Sequence, residues 1–188
     1  MTRPTSAILY RYEERFLRKL LFFVLTALAG CTGVPEGVEP VDNFKLEPYL
    51  GTWYEIARLD HRFERGMSNI TANYSLREGG GVNVRNRGYR AEKGTWDEAD
   101  GRAFFIGDPS VGQLKVSFFG PFYGGYNVFE LGESYEYAMV AGSDHSYLWI
   151  LAREPQLPQA TLDELLQKAE AAGFDTSELI YVEHDKAD

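Results

Sequence analysis

From Gly51 to Arg153 apolar and polar residues alternate in short runs, each ended by a turn composition. The runs predict strands over 51–60, 69–78, 81–97, 101–107, 112–119, 124–131, 134–141 and 145–153. Between them stand EGGG, EADG, GDPSVG, GPFYGG, LGES and GSDH, rich in the residues that turns require. Such short links join antiparallel neighbours. Alternation also assigns faces. Leu114, Val116 and Phe118 share one face, Ile70, Ala72, Tyr74 and Leu76 another, and Val82, Val84 and Asn86 a third. Eight strands with one apolar and one wet side each, and no crossover helices, predict an all-β fold, an eight-stranded up-and-down barrel. Its interior would hold one small ligand.

One segment changes period. LPQATLDELLQKAEAAGF puts Leu162, Leu165, Leu166 and Ala169 on one helical face. Thr161 and Glu164 have capping-box spacing, and Gly173 stands where a helix would stop. This predicts one C-terminal α-helix packed outside the barrel, with a short last strand in ELIYVEH, residues 178–184.

The N-terminus follows neither period. Arg11, Arg15, Arg18 and Lys19 precede LLFFVLTALAG, an uncharged run of 11 residues from Leu20 to Gly30. A bilayer span needs about 20, so residues 1–30 read as an export signal. Leu28-Ala29-Gly30-Cys31 resembles the lipobox of bacterial lipoproteins, which implies lipidation of Cys31 and a membrane anchor there. Thr32 in place of Asp implies sorting to the outer membrane. TGVPEGVEPVDN then reads as a flexible tether over 31–43, and the folded domain as 44–188.

Composition agrees with β structure: aromatics make up 14% of the chain. The formal charge is −9, and residues 1–30 contribute +3, which leaves −12 on the remainder. A body this acidic is expected to repel both nucleic acid and anionic membrane surfaces, so no nucleic-acid partner is expected. No phosphate loop, metal-ligand spacing or nucleophile elbow occurs, so no cofactor, metal or catalytic residue is expected. His61, His145 and His184 fall at a strand end, a turn and the tail and read as surface residues.

YLGTWYEIARLDHRFERG, residues 49–66, carries the first family signature. Gly51-Thr52-Trp53 resembles the G-x-W motif of lipocalins, and Arg153 in YLWILAREP resembles the arginine that ends their last barrel strand. With ANYSL and LKVSFFGPFYGGYNV, the set is similar to bacterial lipocalins, the outer-membrane lipoprotein branch related to apolipoprotein D and plant temperature-induced lipocalins. The resemblance implies that Gly51, Trp53 and Arg153 close the barrel base, the guanidinium lying over the indole. It implies a ligand pocket at Tyr74, Asn86 and Trp149. Parity from Trp53 adds Glu55, Ala57 and Leu59 to the inner face and sends Tyr54, Ile56 and Arg58 outward. An inward Glu55 needs a proton, a base such as Arg153, or a ligand head group.

The resemblance further implies a lipid ligand, a fatty acid or lysophospholipid. The rivals are a lipid-modifying enzyme on the same barrel and an envelope protein whose cup stays empty. FFGPFYGGY, residues 118–126, is a self-packed hairpin, an apolar rim, or the contact surface of a homodimer.

Overall fold

A computed structural model describes residues 32–186. The export signal, the lipobox and Cys31 lie outside the described residues. The barrel strands are β1 (Gly51–Arg58), β2 (Met67–Leu76), β3 (Val82–Arg90), β4 (Thr95–Phe105), β5 (Gln113–Ser117), β6 (Gly124–Leu131), β7 (Tyr137–Ala141) and β8 (Leu148–Ala152). Each pairs antiparallel with the next, and β1 pairs with both β2 and β8, which closes the barrel. A helix, α1 (Leu46–Tyr49), lies across the base; α2 (Gln159–Ala171) follows the barrel, and a two-residue strand β9 (Ile180–Tyr181) ends it.

The third and fourth strands divide differently from the sequence expectation. EADG is the middle of β4, not a turn; the turn is Ala91–Gly94. Its acidic residues face solvent and pair across to β3, Asp100 with Arg85 at 2.7 Å and Glu98 with Arg87 at 3.5 Å, and the half-buried Asp97 before them pairs with Arg90 at 2.8 Å. Gly101 serves close packing rather than turning. A Cβ there would stand 2.8 Å from the Phe118 ring.

Two apolar clusters sit on the two sides of the sheet. The inner one holds Trp53, Tyr74, Val82, Val84, Leu114, Val140 and Leu151. The outer one holds Ile56, Ala57, Met139, Leu148 and Ile150 under Leu165 and Ala169 of α2. Strands β7 and β8 are therefore covered on both faces, which is why YAMVA and LWILA are continuously apolar. The Thr161–Glu164 capping box does not form, because α2 begins three residues earlier, with Pro158 as its N-cap and no side-chain cap. Its other end is a Schellman motif. Gly173, at φ +93°, donates to Glu170 O and Phe174 donates to Ala169 O, both at 3.0 Å.

Residues 33–43 are not a free tether. Val34 and Val38 pack into the outer cluster. Further on, Val41 N donates to Val128 O at 2.8 Å and Phe44 N to Ser110 O at 2.7 Å. Three valines and a phenylalanine in an otherwise polar stretch supply the apolar surface that holds it down.

The C-terminus completes the wall. Beyond Tyr54, β1 parts from β2, and β9 pairs with Ala57 and Arg58 instead. Asn69 N donates to Glu183 O at 2.7 Å, and Lys186 N to Asn69 Oδ1 at 2.9 Å.

Candidate functional site

The barrel base is built by residues from three regions. Trp53 is fully buried, and its indole Nε1 donates to Tyr49 O at 2.8 Å. The Arg153 guanidinium carbon lies 3.8 Å from the Trp53 ring centroid. Arg153 also donates to the carbonyls of Thr52 at 2.8 Å, Pro48 at 2.6 Å, Leu50 at 3.0 Å and Tyr135 at 3.3 Å. One side chain thus ties α1, β1 and the β6–β7 turn together. Stacking of this kind contributes roughly 0.5–2 kcal/mol, and the charge-assisted hydrogen bonds add to it.

Above the base, three tyrosines form a floor. Tyr126 OH lies 2.7 Å from Tyr49 OH and 2.8 Å from Tyr74 OH. Burial raises all three phenol pKa values, so each stays a neutral hydrogen-bonding group. Above this floor a cavity of about 80 Å³ opens, lined by Tyr74, Asn86, Trp149 and Glu55 among mainly apolar neighbours. Asn86 Oδ1 is buried there without a hydrogen-bond partner. It offers a ligand an acceptor.

Ala57 and Arg58 reverse the sequence-based faces. A bulge between Glu55 and Ala57 opposes two β1 steps to one on β8. Parity flips across it: Ala57 and Leu59, expected inside, turn out into the cluster under α2, and Arg58 turns in, 1% exposed. Ala57 therefore does not line the cavity. The C-terminal strap stabilises the bulge, since Val182 N donates to Ile56 O at 3.0 Å and His184 Nε2 lies 2.8 Å from Glu55 O.

The inward arginine gives Glu55 its partner, Arg58 rather than Arg153. Arg58 Nη1 donates to Glu55 Oε1 at 3.2 Å, and Nη2 donates to Glu64 O at 2.9 Å. Glu64 Oε2 accepts from Trp149 Nε1 at 3.2 Å and lies 2.9 Å from His61 Nε2, an ion-pair distance without hydrogen-bond alignment. The two carboxyls are driven apart. Burial, then the charge of Glu64, push Glu55 well above the usual carboxylate range, against the opposing pull of Arg58. Burial also raises Glu64, but the His61 contact, the Trp149 indole and Arg58 together outweigh it and its pKa falls. A neutral acid and a carboxylate thus share one wall of the cup.

The lipocalin-like domain profile matches residues 44–184. The chain belongs to the lipocalin family. It is 52% identical over 168 residues to the outer membrane lipoprotein Blc of Vibrio cholerae, covering 88% of this chain and 98% of that one. It is 37% identical to apolipoprotein D of Macaca fascicularis over 164 residues, 78% of this chain and 85% of the other. Insecticyanin from the tobacco hornworm Manduca sexta shares the fold, with a TM-score of 0.64 at 21% identity, covering 81% of this chain and 87% of that one.

In this lipocalin the Arg58–His61–Glu64 wall was not legible from alternation. The one available signal was the run RLDHRFER, whose density of charge beside an apolar strand exceeds what a solvated loop needs. Tyr126 was likewise hidden inside a glycine-rich stretch. Among the described residues, no group of three or more His, Cys, Asp and Glu side chains has the geometry to hold a metal ion.

The raised Glu55 pKa has a testable sign. The stability it contributes is complete below the unfolded value near 4.5 and is lost as pH rises through the folded value. Glu55→Gln should therefore raise Tm at pH 8 by a few degrees and leave it nearly unchanged at pH 4. Thermal scans at both pH values check this. An equal shift at both would show that Glu55 is not the group concerned.

Proposed function

We propose that this lipocalin is a lipid-anchored protein of the outer membrane that binds a fatty acid or lysophospholipid in its cup. The observation that carries the reading is the cavity itself, whose wall is mainly apolar and aromatic, with Glu55, Glu64, Thr71 and Asn86 as its polar members beside the tyrosines of the floor. Its volume is small next to the roughly 300–1,000 Å³ of drug-sized sites, which favours a slender chain over a bulky ring system. Each buried CH₂ contributes about 0.8 kcal/mol before ordering losses. The name outer membrane lipoprotein, borne by the Vibrio cholerae relative, and the sequence around Cys31 support the location.

Native mass spectrometry of protein purified from cell envelopes tests the binding: the expected result is co-purified lipid. Protein that is repeatedly empty, and that takes up no added fatty acid, would overturn the reading. Trp149→Ala should weaken fatty-acid affinity about tenfold, or about 1.4 kcal/mol, while the circular dichroism spectrum stays unchanged. Quenching of the remaining tryptophan emission with the same midpoint as the parent would contradict the role given to Trp149.

The neutral Glu55 beside an anionic Glu64 is also the arrangement an acid–base enzyme would use. Turnover of a bound lipid by purified protein, abolished in Glu55→Gln, would favour that second reading.

A further inference from the structure

The two ends of the barrel differ in more than closure. The mouth is edged by the loops 59–66, 91–94, 118–123 and 142–147, which join β1–β2, β3–β4, β5–β6 and β7–β8. Among the described residues, the large apolar side chains left exposed are Phe63, Leu76, Phe119, Phe122, Ile180 and Tyr181. Phe63, Phe119 and Phe122 stand on mouth loops, and Ile180 and Tyr181 on β9 beside the mouth half of β1. Only Leu76 belongs to the closed end. Phe119 and Phe122 are 71% and 78% exposed, on a loop with no charged residue between Phe118 and Tyr123. The closed-end segments carry Glu47, Glu78, Asp108, Glu133, Glu136 and Glu154 against Lys45, Arg77 and Arg153, whereas the mouth loops are closer to balance, with Asp60, Glu64, Glu92 and Asp144 against Arg62, Arg65 and Lys93.

The path of the N-terminal segment adds an independent observation. Gly33 O accepts from Asn127 Nδ2 at 3.1 Å, and Gly33 lies against Gly125 at the mouth end of β6 and Ser143 in the β7–β8 loop. From there the segment descends the outside of the barrel to Phe44 at the base. The chain therefore enters the domain at the mouth. Cys31 is two residues before Gly33, and two residues span at most about 7 Å. A lipid on Cys31 would hold the mouth, not the base, near the bilayer.

We propose that the barrel docks mouth-down on the outer-membrane leaflet that holds its anchor, with Phe119, Phe122 and Phe63 entering the interface. This rests on the anchor reading above. Aromatic rings favour the interfacial depth. Arg62, whose guanidinium carbon is 5.3 Å from the Phe63 ring, and Lys115, 5.1 Å from the Tyr123 ring, can reach lipid phosphates alongside them. The acidic closed end then faces away from the phosphates. Three exposed rings are too few to bind a bilayer strongly alone; the anchor supplies the effective concentration. A ligand would pass between cup and bilayer without crossing open water.

The test uses the full chain, processed and lipidated in cells, in vesicles of phosphatidylethanolamine and phosphatidylglycerol. Phe122→Cys and, in a separate protein, Glu78→Cys each carry a nitroxide label. Mass spectrometry first reads the acylation of Cys31. The expected result is a label at 122 that is shielded from a water-soluble nickel chelate and relaxed by oxygen, with the reverse at 78. An acylated protein whose label at 122 is as open to nickel as that at 78 overturns the docking and leaves the anchor standing. An unacylated Cys31 overturns both. Separately, Phe119→Ser with Phe122→Ser should slow transfer of a fluorescent fatty acid from vesicles to the anchored protein about tenfold. Affinity for the same fatty acid in free solution should not change. An unchanged transfer rate would show that the rings do not engage the bilayer.

Discussion

Trp53→Ala should lower Tm by about 10 °C or more. The indole is fully buried, and its removal takes away the surface on which Arg153 lies and the donor to Tyr49 O. Trp→Ala changes in cores destabilise by about 3–5 kcal/mol, and each kcal/mol moves Tm by about 2–4 °C in a domain of this size. Arg153 would keep its four carbonyl acceptors, so the base should loosen rather than lose its topology. Thermal unfolding followed by circular dichroism checks the size of the effect. A shift under about 3 °C would mean that the Trp53–Arg153 stack is not the closure of the barrel. Trp53→Phe, which keeps a ring under the guanidinium, should recover part of the loss.

Arg58→Met should be as damaging, for a different reason. The side chain is 1% exposed and is the cation beside Glu55 and Glu64. Removing one partner of a buried ionic group costs about 3–5 kcal/mol, because the remaining charge stays buried. The remaining charge here is Glu64, whose folded pKa is lowered. A lowered carboxyl contributes stability above its unfolded value near 4.5 that fades as pH falls through the folded value. Taking Arg58 away weakens that contribution, so the gap between parent and Arg58→Met should be largest near pH 7 and narrow below pH 4. Adding Glu64→Gln to Arg58→Met should restore much of the stability at pH 7. Equal destabilisation at all pH values, with no rescue, would show that Arg58 acts by packing alone.

The pattern of alternation was enough to predict eight strands, most of their faces and the outer helix, because hydrophobic period is a local property. It located β6 at its observed limits and the inner faces of Tyr74, Asn86, Leu114 and Trp149. It misread EADG, since a glycine under a ring and a glycine in a turn look the same in one dimension. It misread residues 33–43 because three valines in a Pro- and Gly-rich stretch carry no period.

The candidate site divided along the same line. Tyr74, Asn86 and Trp149 lie on regular stretches, so parity carried to them. Ala57 and Arg58 lie past a bulge whose existence depends on β8 pairing and on a C-terminal strap more than 120 residues away in sequence.

By itself the sequence determined the class of fold, and its family resemblance pointed to the Trp53–Arg153 pair that the structure places at the base. The first rests on local period, the second on short motifs of neighbouring residues. Only the tertiary structure decided that a buried arginine faces a pair of carboxyls in the cup, and that the chain enters the barrel at its mouth. Both follow from which distant segments pack together, and the energy of such contacts is not written in any one stretch of chain.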